Sequence, residues 1–264
     1  MRGGFERINN EVYQQTGDIW WDESAPLNLL QTAVNPARVG FFRRIIEQEL
    51  RLPVTQLSAL EVGCGGGILS EEIARMGFGS LTGLDPSEEA LEVARAHALR
   101  SNLAIDYVSG AGELLPMATS SKDVVFCCDV LEHVRNLRQV LAEISRVLKP
   151  GGYFFYDTLN RTWFSQLVAI KLWQDWELFS FMPKDLHVWE MFIRPSELME
   201  HFAAVGFENL ALTGIAPAAN PLVMLYQMRQ MKRGKISLRE MGRKLDLRES
   251  RDLRILYAGY ARRS

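Results

Sequence analysis

Between residues 57 and 156, short apolar runs alternate with longer segments whose apolar residues recur at helical spacing. The apolar runs predict five strands, and the longer segments predict helices after the first, second and fourth of them. Strands that alternate with helices at this interval predict a parallel, doubly wound sheet. The predicted strands are 57–62, 80–84, 104–108, 123–127 and 153–156, and the predicted helices are 68–76, 88–100 and 137–148.

The pattern changes on either side of this region. A helix is predicted over 37–50, after the cap-like pair Asn35-Pro36, and another over 195–205. Two last strands, 207–213 and 255–261, complete the prediction. We therefore predict an α/β fold with a Rossmann-like, doubly wound, mostly parallel sheet of seven strands. Residues 1–264 are predicted to form a single domain that consists of a helical N-terminal cap (1–55), a cofactor-binding core (56–158), a hydrophobic lid and substrate region (159–194) and a C-terminal region with a basic insertion (195–264).

Length and composition fit one large globular domain. The chain has 264 residues, of which 47% are hydrophobic and 23% charged. No window approaches the roughly 18 unbroken apolar residues of a membrane-spanning helix, and the N-terminal segment has no apolar stretch typical of a secretory signal. The three cysteines have no CxxC spacing, so a reducing, cytoplasmic location is expected.

Charge is distributed unevenly along the chain. The formal net charge is −2, yet residues 229–263 contain twelve Lys and Arg against four Asp and Glu. This basic stretch predicts either a solvated helical face or contact with an anionic surface such as a membrane. It contains no aromatic residue before Tyr257, which argues against a single-stranded nucleic acid partner.

A tryptophan-rich segment precedes the basic stretch. Residues 163–182 contain three tryptophans and three phenylalanines, interrupted by Lys171, Asp175 and Glu177. The segment is therefore amphipathic and is not a membrane span. Three interpretations remain open: a lid over a hydrophobic substrate, a helix at a membrane surface, or packing onto the sheet.

A glycine loop with an acidic partner predicts a nucleoside-containing cofactor. The loop Glu61-Val-Gly-Cys-Gly-Gly-Gly67 follows one predicted strand, and Asp85 ends the next, where a carboxylate can bind ribose hydroxyls. A dinucleotide fingerprint would place its third glycine at Ile68, so an NAD-type oxidoreductase is disfavoured. The E-x-G-x-G-x-G pattern resembles the first motif of class I methyltransferases. The segment 110–113 follows the third strand, where that class places its adenine contacts, and is otherwise an ordinary surface turn.

Three polar side chains follow the fourth strand at helical spacing. Asp129, Glu132 and His133 stand at i, i+3 and i+4, which would put them on one face of a helical turn at the ligand-binding edge of the sheet. Two carboxylates and an imidazole can hold a divalent cation. His133 can alternatively act as a general base without metal, or the turn can simply shape the pocket. His187 is a further candidate near the substrate or a structural histidine.

Blocks along residues 5–215 resemble the ubiquinone-biosynthesis O-methyltransferase family. The most specific are Trp20-Trp-Asp22, Asn35-Pro-Ala-Arg38, Thr158-Leu-Asn-Arg161 and Phe192-Ile-Arg-Pro-Ser-Glu-Leu198. The resemblance implies S-adenosylmethionine as cofactor and Mg²⁺ held by Asp129, Glu132 and His133, which are also the expected catalytic residues. The expected cofactor-binding residues are Arg38, Glu61, Gly63, Cys64, Gly65, Asp85, Pro86, Gly112, Glu113 and Cys128.

The implied reaction is methyl transfer to a phenolic or catechol hydroxyl of a lipophilic quinone precursor. A metal on both catechol oxygens would lower the phenol pKa. Alternatives are a C- or N-methyltransferase on another lipophilic small molecule, and a non-catalytic protein that binds membranes or partners. After about Gly214 the basic stretch departs from the family pattern, so it bears on substrate and membrane contact and not on the cofactor.

Overall fold

The computed structural model describes residues 4–14 and 19–264. Its centre is an eight-stranded sheet in the order β3-β2-β1-β4-β5-β8-β6-β7. The first five strands in this order are parallel, while β8 pairs antiparallel with β5 and β6, and β7 pairs antiparallel with β6. The strands are β1 Ser58–Val62, β2 Ser80–Asp85, β3 Asp106–Ser109, β4 Lys122–Cys127, β5 Leu148–Leu159, β6 Phe207–Pro217, β7 Leu247–Ser250 and β8 Leu256–Arg263.

Helices cover both faces of this sheet. π-helical turns, Leu30–Val34 and Ile45–Glu49, flank α1, and α5 continues as a π-helix, Gln166–Asp175. Single 3₁₀ turns lie at Phe5–Arg7, Asn10–Gln14, Pro26–Asn28, Val54–Gln56 and Trp189–Met191. Every helix in the described parts of the chain is too short or too polar to cross a bilayer. The α-helices are α1 Asn35–Arg44, α2 Ile68–Ala74, α3 Glu88–Arg100, α4 Leu137–Val147, α5 Trp163–Ser165, α6 Pro195–Ala204, α7 Pro221–Lys232 and α8 Leu238–Leu245.

The predicted α/β fold is confirmed, with one strand more than expected. The extra strand is β7, which lies inside the basic stretch and pairs with the far end of β6, from Gly214 opposite Ser250 to Pro217 opposite Leu247. Four residues without a clean alternation of polar and apolar positions carry too little signal to predict a strand. The proposed division of the chain into cap, core, lid and C-terminal region stays a prediction.

The central strands are apolar on both sides because both of their faces are covered. In β5, Phe155 packs in one core cluster with Phe42 and Phe126, whereas its neighbour Phe154 packs in the opposite cluster with Phe202. Successive side chains of a strand point to opposite faces, so adjacent phenylalanines enter different layers. This two-sided core holds the carboxyl ends of β1 and β4 rigidly side by side.

The sequence order of the strands reverses between β1 and β4. In doubly wound sheets, ligands bind in the crevice outside the carboxyl ends of the strands at such a switch point. The glycine loop follows β1, and Asp129 follows β4. The topology therefore brings two of the predicted site segments to one edge of the sheet.

The segments outside the core pack above this edge. Met228 of α7 and Met241 of α8 share a small apolar cluster with Leu29 and Ala33 from the N-terminal region. Phe181 and other residues of the tryptophan-rich segment pack against the same cluster. The crevice is thus covered by pieces of chain from both ends of the sequence.

Candidate functional site

Two cavities open at the switch point, and they differ in character. One, of about 290 Å³, includes Asp85, Ser87 and Glu113 among its lining residues and is called the polar cavity below. The other, of about 200 Å³, is lined mainly by apolar side chains and is called the apolar cavity below. Both are bordered by the same five residues, which are Tyr13, Trp20, Gly63, Asp129 and His133.

The polar cavity gathers the expected cofactor residues that follow β2 and β3. Asp85 accepts hydrogen bonds from the backbone N–H groups of Gly65 (2.8 Å) and Ser87 (2.9 Å). Burial raises the pKa of Asp85, and these two backbone N–H groups oppose that rise. Pro86, Gly112 and Glu113 line the same cavity, as the family resemblance implies. A carboxylate has lone pairs beyond those two bonds, so Asp85 keeps capacity for ribose hydroxyls.

The glycine loop is covered by the tryptophan pair of the N-terminal region. A Cβ on Gly65 or Gly66 would overlap the indole of Trp20, and Gly65 is in a left-handed conformation with φ of 49°. Trp21 donates its indole N–H to the carbonyl of Gly66 (2.8 Å). The glycines are therefore needed for contact with this tryptophan as well as for a ligand, a role that the sequence pattern did not reveal.

Glu61, at the end of β1, lies below the loop. It is 3% exposed, accepts a short hydrogen bond from the Ser70 hydroxyl and borders the apolar cavity. Burial raises its pKa to about 8. The two thiols expected near the cofactor, Cys64 and Cys128, are buried beside the same cavity, and burial raises their pKa values, so they contribute packing and not thiolate chemistry.

Arg38 forms a buried ion-pair cluster with two carboxylates. Its Nη2 lies 2.5 Å from Asp129 and its Nη1 lies 2.8 Å from Asp157, which also accepts the backbone N–H of Asp129 at 2.9 Å. Burial raises the pKa of Asp157 although Arg38 lowers it. The Nε atom of Arg38 is buried without a hydrogen-bond partner. One donor of the guanidinium is therefore left for a ligand.

Asp157 is a residue of this site that sequence reasoning missed. It is fully buried inside β5, where it follows four aromatic residues and precedes Thr158. A carboxylate within an apolar strand is costly to bury unless it is paired. That mismatch is a signal, visible in the sequence, that a buried cation must face it.

The three predicted metal ligands are not placed as one ligand set, so the expected Mg²⁺ site is not supported. Asp129 has φ of 55° and turns to Arg38, whereas Glu132 is 2% exposed and accepts the hydroxyl of Thr158 at 2.7 Å. His133 borders both cavities. Within residues 4–14 and 19–264, no group of three His, Cys, Asp or Glu side chains is placed to hold a metal. These residues do not fit a bound Mg²⁺.

The surroundings of Glu132 and His133 favour the uncharged form of both side chains. Burial, and then the charge of Asp129, raise the pKa of Glu132 to about 8. Burial lowers the pKa of His133 well below the usual imidazole value. His133 is therefore uncharged at neutral pH and can accept a proton or a hydrogen bond from a neutral hydroxyl.

The apolar cavity is built from segments far apart in the chain. Its walls come from the N-terminal region, the tryptophan-rich segment, α7 and the strands at the end of the sheet. His187, which sequence reasoning left between a substrate and a structural role, borders it with a ring centroid 5.2 Å from that of His133. Its apolar lining includes Leu29, Ala33, Val168, Trp173, Phe181, Met182, Ile215, Met224 and Leu247.

Known proteins match this chain over most of its length. A ubiquinone biosynthesis O-methyltransferase from Methylobacterium nodulans is 35% identical over 216 residues, which cover 80% of this chain and 84% of that protein. Another, from Idiomarina loihiensis, is 38% identical over 207 residues, which cover 77% of this chain and 79% of that protein. The chain belongs to the ubiquinone biosynthesis O-methyltransferase family. A family model described as a methyltransferase domain also matches residues 60–156.

Solved structures agree with the fold of this methyltransferase family. A structure from Thermotoga maritima, described as an S-adenosylmethionine-dependent methyltransferase and possible histamine N-methyltransferase, has a TM-score of 0.58 at 18% identity. The match covers 100% of both chains. At this identity the likeness concerns the fold alone.

Membership of the family makes the chain an S-adenosylmethionine-dependent methyltransferase, and the family transfers the methyl group to oxygen. The described residues fit this cofactor. The polar cavity holds Asp85, the backbone of Gly63 borders both cavities, and the unpartnered Nε of Arg38 suits a carboxylate.

Proposed function

We propose that this enzyme methylates a phenolic hydroxyl of a lipophilic, catechol-like quinone precursor. The observation that carries the proposal is the junction of the two cavities at Gly63, Asp129 and His133. A polar cavity suits a nucleoside, and an apolar cavity suits a hydrocarbon tail. The names of the relatives, which place them in ubiquinone biosynthesis, agree with such an acceptor.

S-adenosylmethionine, when bound, supplies a methyl group on a positively charged sulfur. Asp85 would hold the ribose, the segment that contains Gly112 and Glu113 would border the adenine, and Arg38 would pair with the carboxylate. Cys64 and Cys128 would pack against the bound molecule. The remaining task of the chain is to hold an acceptor oxygen at the junction and to take its proton.

His133 is the proton acceptor that we propose. Both of its ring nitrogens are buried without a hydrogen-bond partner, and it borders both cavities. A neutral imidazole with a lowered pKa is a weak base, and a phenol has a pKa of about 10 by analogy with tyrosine. Proton removal must therefore accompany the bonding of oxygen to the methyl carbon. Asp129 contributes negative charge close to the proton that is being removed.

A methyl-transfer assay on synthetic catechols with short apolar tails tests the proposal. We expect turnover with transfer to oxygen, established by mass spectrometry and NMR of the product, in buffer that contains either Mg²⁺ or a chelator. Methylation at carbon or nitrogen would favour the alternative acceptor classes. Binding of the cofactor without turnover of any phenol would remove the substrate assignment and leave the family assignment intact.

We also propose that α7 contacts an anionic membrane surface. Its first turns expose Leu222 (75%), Val223 (48%) and Tyr226 (58%), and its end carries exposed basic residues, including Arg229 and Lys232. Apolar side chains beside basic ones are typical of helices that lie in a lipid interface. Co-sedimentation with phosphatidylglycerol vesicles should exceed that with neutral vesicles, and Leu222→Asp combined with Tyr226→Asp should abolish the difference. Equal sedimentation of both proteins would contradict the proposal.

A further inference from the structure

Two histidines share the wall of the apolar cavity close to the junction. The ring centroids of His133 and His187 are 5.2 Å apart, with 53° between the ring planes. Both nitrogens of His133 and the Nδ1 of His187 are buried without a hydrogen-bond partner. An unpaired buried polar group is destabilising, and here three such atoms lie in one small region. Such a group of unpaired atoms is typical of a ligand site.

His187 is held in place by its backbone, which leaves its ring free for a ligand. The side chain of Gln174 accepts the backbone N–H of His187 at 2.7 Å and donates to its carbonyl at 3.0 Å. Gln174 is 3% exposed and belongs to the π-helix that follows α5. The ring itself contacts Phe192 edge-on at 6.1 Å between centroids. The tryptophan-rich segment therefore fixes the backbone of His187, yet no described residue forms a hydrogen bond with its Nδ1.

Burial favours the neutral form of both rings. Burial lowers the pKa of His187 to about 4, although the charge of Asp129 opposes this, and burial also lowers the pKa of His133. A neutral imidazole offers one donor and one acceptor. Two neutral imidazoles side by side can therefore bind two neutral hydroxyl groups, whereas one hydroxyl would satisfy only one of them.

We propose that His133 and His187 form a paired site for the two adjacent hydroxyls of a catechol. His133, which borders both cavities, takes the hydroxyl that is methylated, and His187 takes its neighbour. This inference rests on the proposed function and deepens it, because it makes His187 the residue that distinguishes a vicinal diol from a single phenol. It assigns recognition of the second oxygen to an imidazole at a position where the described residues do not fit a metal.

The test compares two acceptors that differ by one oxygen. One is a catechol with a short apolar tail, and the other is the same compound with a single hydroxyl. For His187→Ala we expect kcat/KM on the catechol to fall about 10- to 100-fold, since one buried hydrogen bond is lost, while kcat/KM on the single phenol changes less than about twofold. His187→Gln, which retains a donor and an acceptor, should recover most of the loss.

Controls separate this role from a structural one. His201→Ala on α6 is the matched histidine variant and should leave kcat/KM unchanged on both the catechol and the single phenol. Thermal unfolding and affinity for S-adenosylhomocysteine should stay unchanged in His187→Ala, and His187→Phe replaces it if the alanine variant does not fold. If the His187 variants lower kcat/KM equally on both acceptors, or keep the preference for the catechol, the paired site is wrong while the proposed function stands. If the unmodified enzyme methylates neither acceptor, both are wrong.

Discussion

The two cavities of this enzyme are built in opposite ways. The polar cavity is assembled mainly from strand ends and loops between residues 62 and 135, with a few side chains of the N-terminal region, and its key carboxylate, Asp85, is bound by two backbone N–H groups. The apolar cavity takes its walls from residues as distant as Leu29 and Leu256, and its polar groups include a buried guanidinium and unpartnered imidazoles. Local chain geometry forms the first site, whereas long-range packing forms the second.

This difference separates the cavity that follows from the fold from the cavity that depends on individual side chains. A cavity made by strand ends and backbone groups depends on the fold and serves one cofactor. A cavity made by side chains of remote segments can be remodelled by substitutions that leave the sheet unchanged. We therefore expect changes at residues that border only the first cavity to affect the cofactor, and changes in the apolar wall of the second to affect the acceptor, while the five shared residues and Arg38 should affect both.

The largest effect is expected for Arg38→Leu, which removes the cation of the buried ion-pair cluster. Asp129 and Asp157 would then share a buried region without a cation, and breaking a buried pair in this way costs about 3–5 kcal/mol. Urea unfolding measures the loss, and affinity for both ligands should also fall. Arg43→Leu, which removes an exposed pair with Glu47 on the same helix, should cost less than about 1 kcal/mol. Equal losses in the two variants would contradict the cluster.

Asp85→Ala should weaken binding of the cofactor without weakening binding of the acceptor. Loss of a charged acceptor of this kind costs about 1.5–3 kcal/mol, so affinity for S-adenosylhomocysteine should fall about 10- to 100-fold. Calorimetry measures this affinity, while affinity for a short-tail catechol should stay within about twofold. Glu88→Ala, on the exposed start of α3, is the control. A comparable loss of acceptor affinity would show that the two cavities are not independent.

The pH dependence of stability should reveal that the buried Glu132 retains a proton in the folded protein. Its folded-state pKa of about 8 lies above the unfolded value, so the folded protein retains a proton that the unfolded chain releases. Its stabilising contribution is complete below about pH 4 and is lost as the pH rises towards 8. From pH 5.5 to 8, the free energy of unfolding of the unmodified protein should therefore fall. In Glu132→Gln the fall over the same range should be smaller, and the difference between the two falls should exceed about 1 kcal/mol.

Glu143→Gln is the matched control for this pH experiment. Its pKa is lowered by a hydrogen bond from Arg146, so Glu143 is ionised in both the folded and the unfolded chain above pH 5.5. The stability difference between this variant and the unmodified protein should not change from pH 5.5 to 8. The same slope in both glutamine variants would exclude Glu132 as its source.

The smallest effect is expected for Met224→Trp, which narrows the apolar cavity from α7. Long-tail acceptors should lose about 1 kcal/mol, or about fivefold in kcat/KM, because a hydrophobic pocket discriminates weakly per methylene group. Short-tail acceptors and the cofactor should be unaffected. Leu99→Trp on the exposed face of α3 is the control. A loss that is independent of tail length would place the tail elsewhere.

The cofactor half could be predicted from the sequence because its signals are local. A strand that ends in glycines, followed by a strand that ends in Asp85, implies a site wherever the sheet is parallel. The residues Pro86, Gly112 and Glu113 follow from the same topology. Their part in cofactor binding stays a prediction, and the placement of all of them around one cavity agrees with it.

The acceptor half could be predicted only in part. The expected helical turn at Asp129, Glu132 and His133 assumes regular dihedral angles, but Asp129 adopts φ of 55° because its backbone N–H binds Asp157 and its carboxylate binds Arg38. Partners 28 and 91 residues away cannot be deduced from spacing. Likewise the composition of the tryptophan-rich segment is clear from the sequence. Its role as the support of His187, however, depends on hydrogen bonds between the side chain of Gln174 and the backbone of His187, which composition does not reveal.

Trp20 imposes a joint constraint on inheritance at three positions. Because its indole occupies the space that a methyl group on Gly65 or Gly66 would need, neither glycine can be replaced while the tryptophan remains. Loss of the tryptophan would conversely leave the wall of both cavities open. Across relatives, these positions should therefore change together or not at all, and covariation among them would report the N-terminal tryptophan pair even where overall similarity has faded.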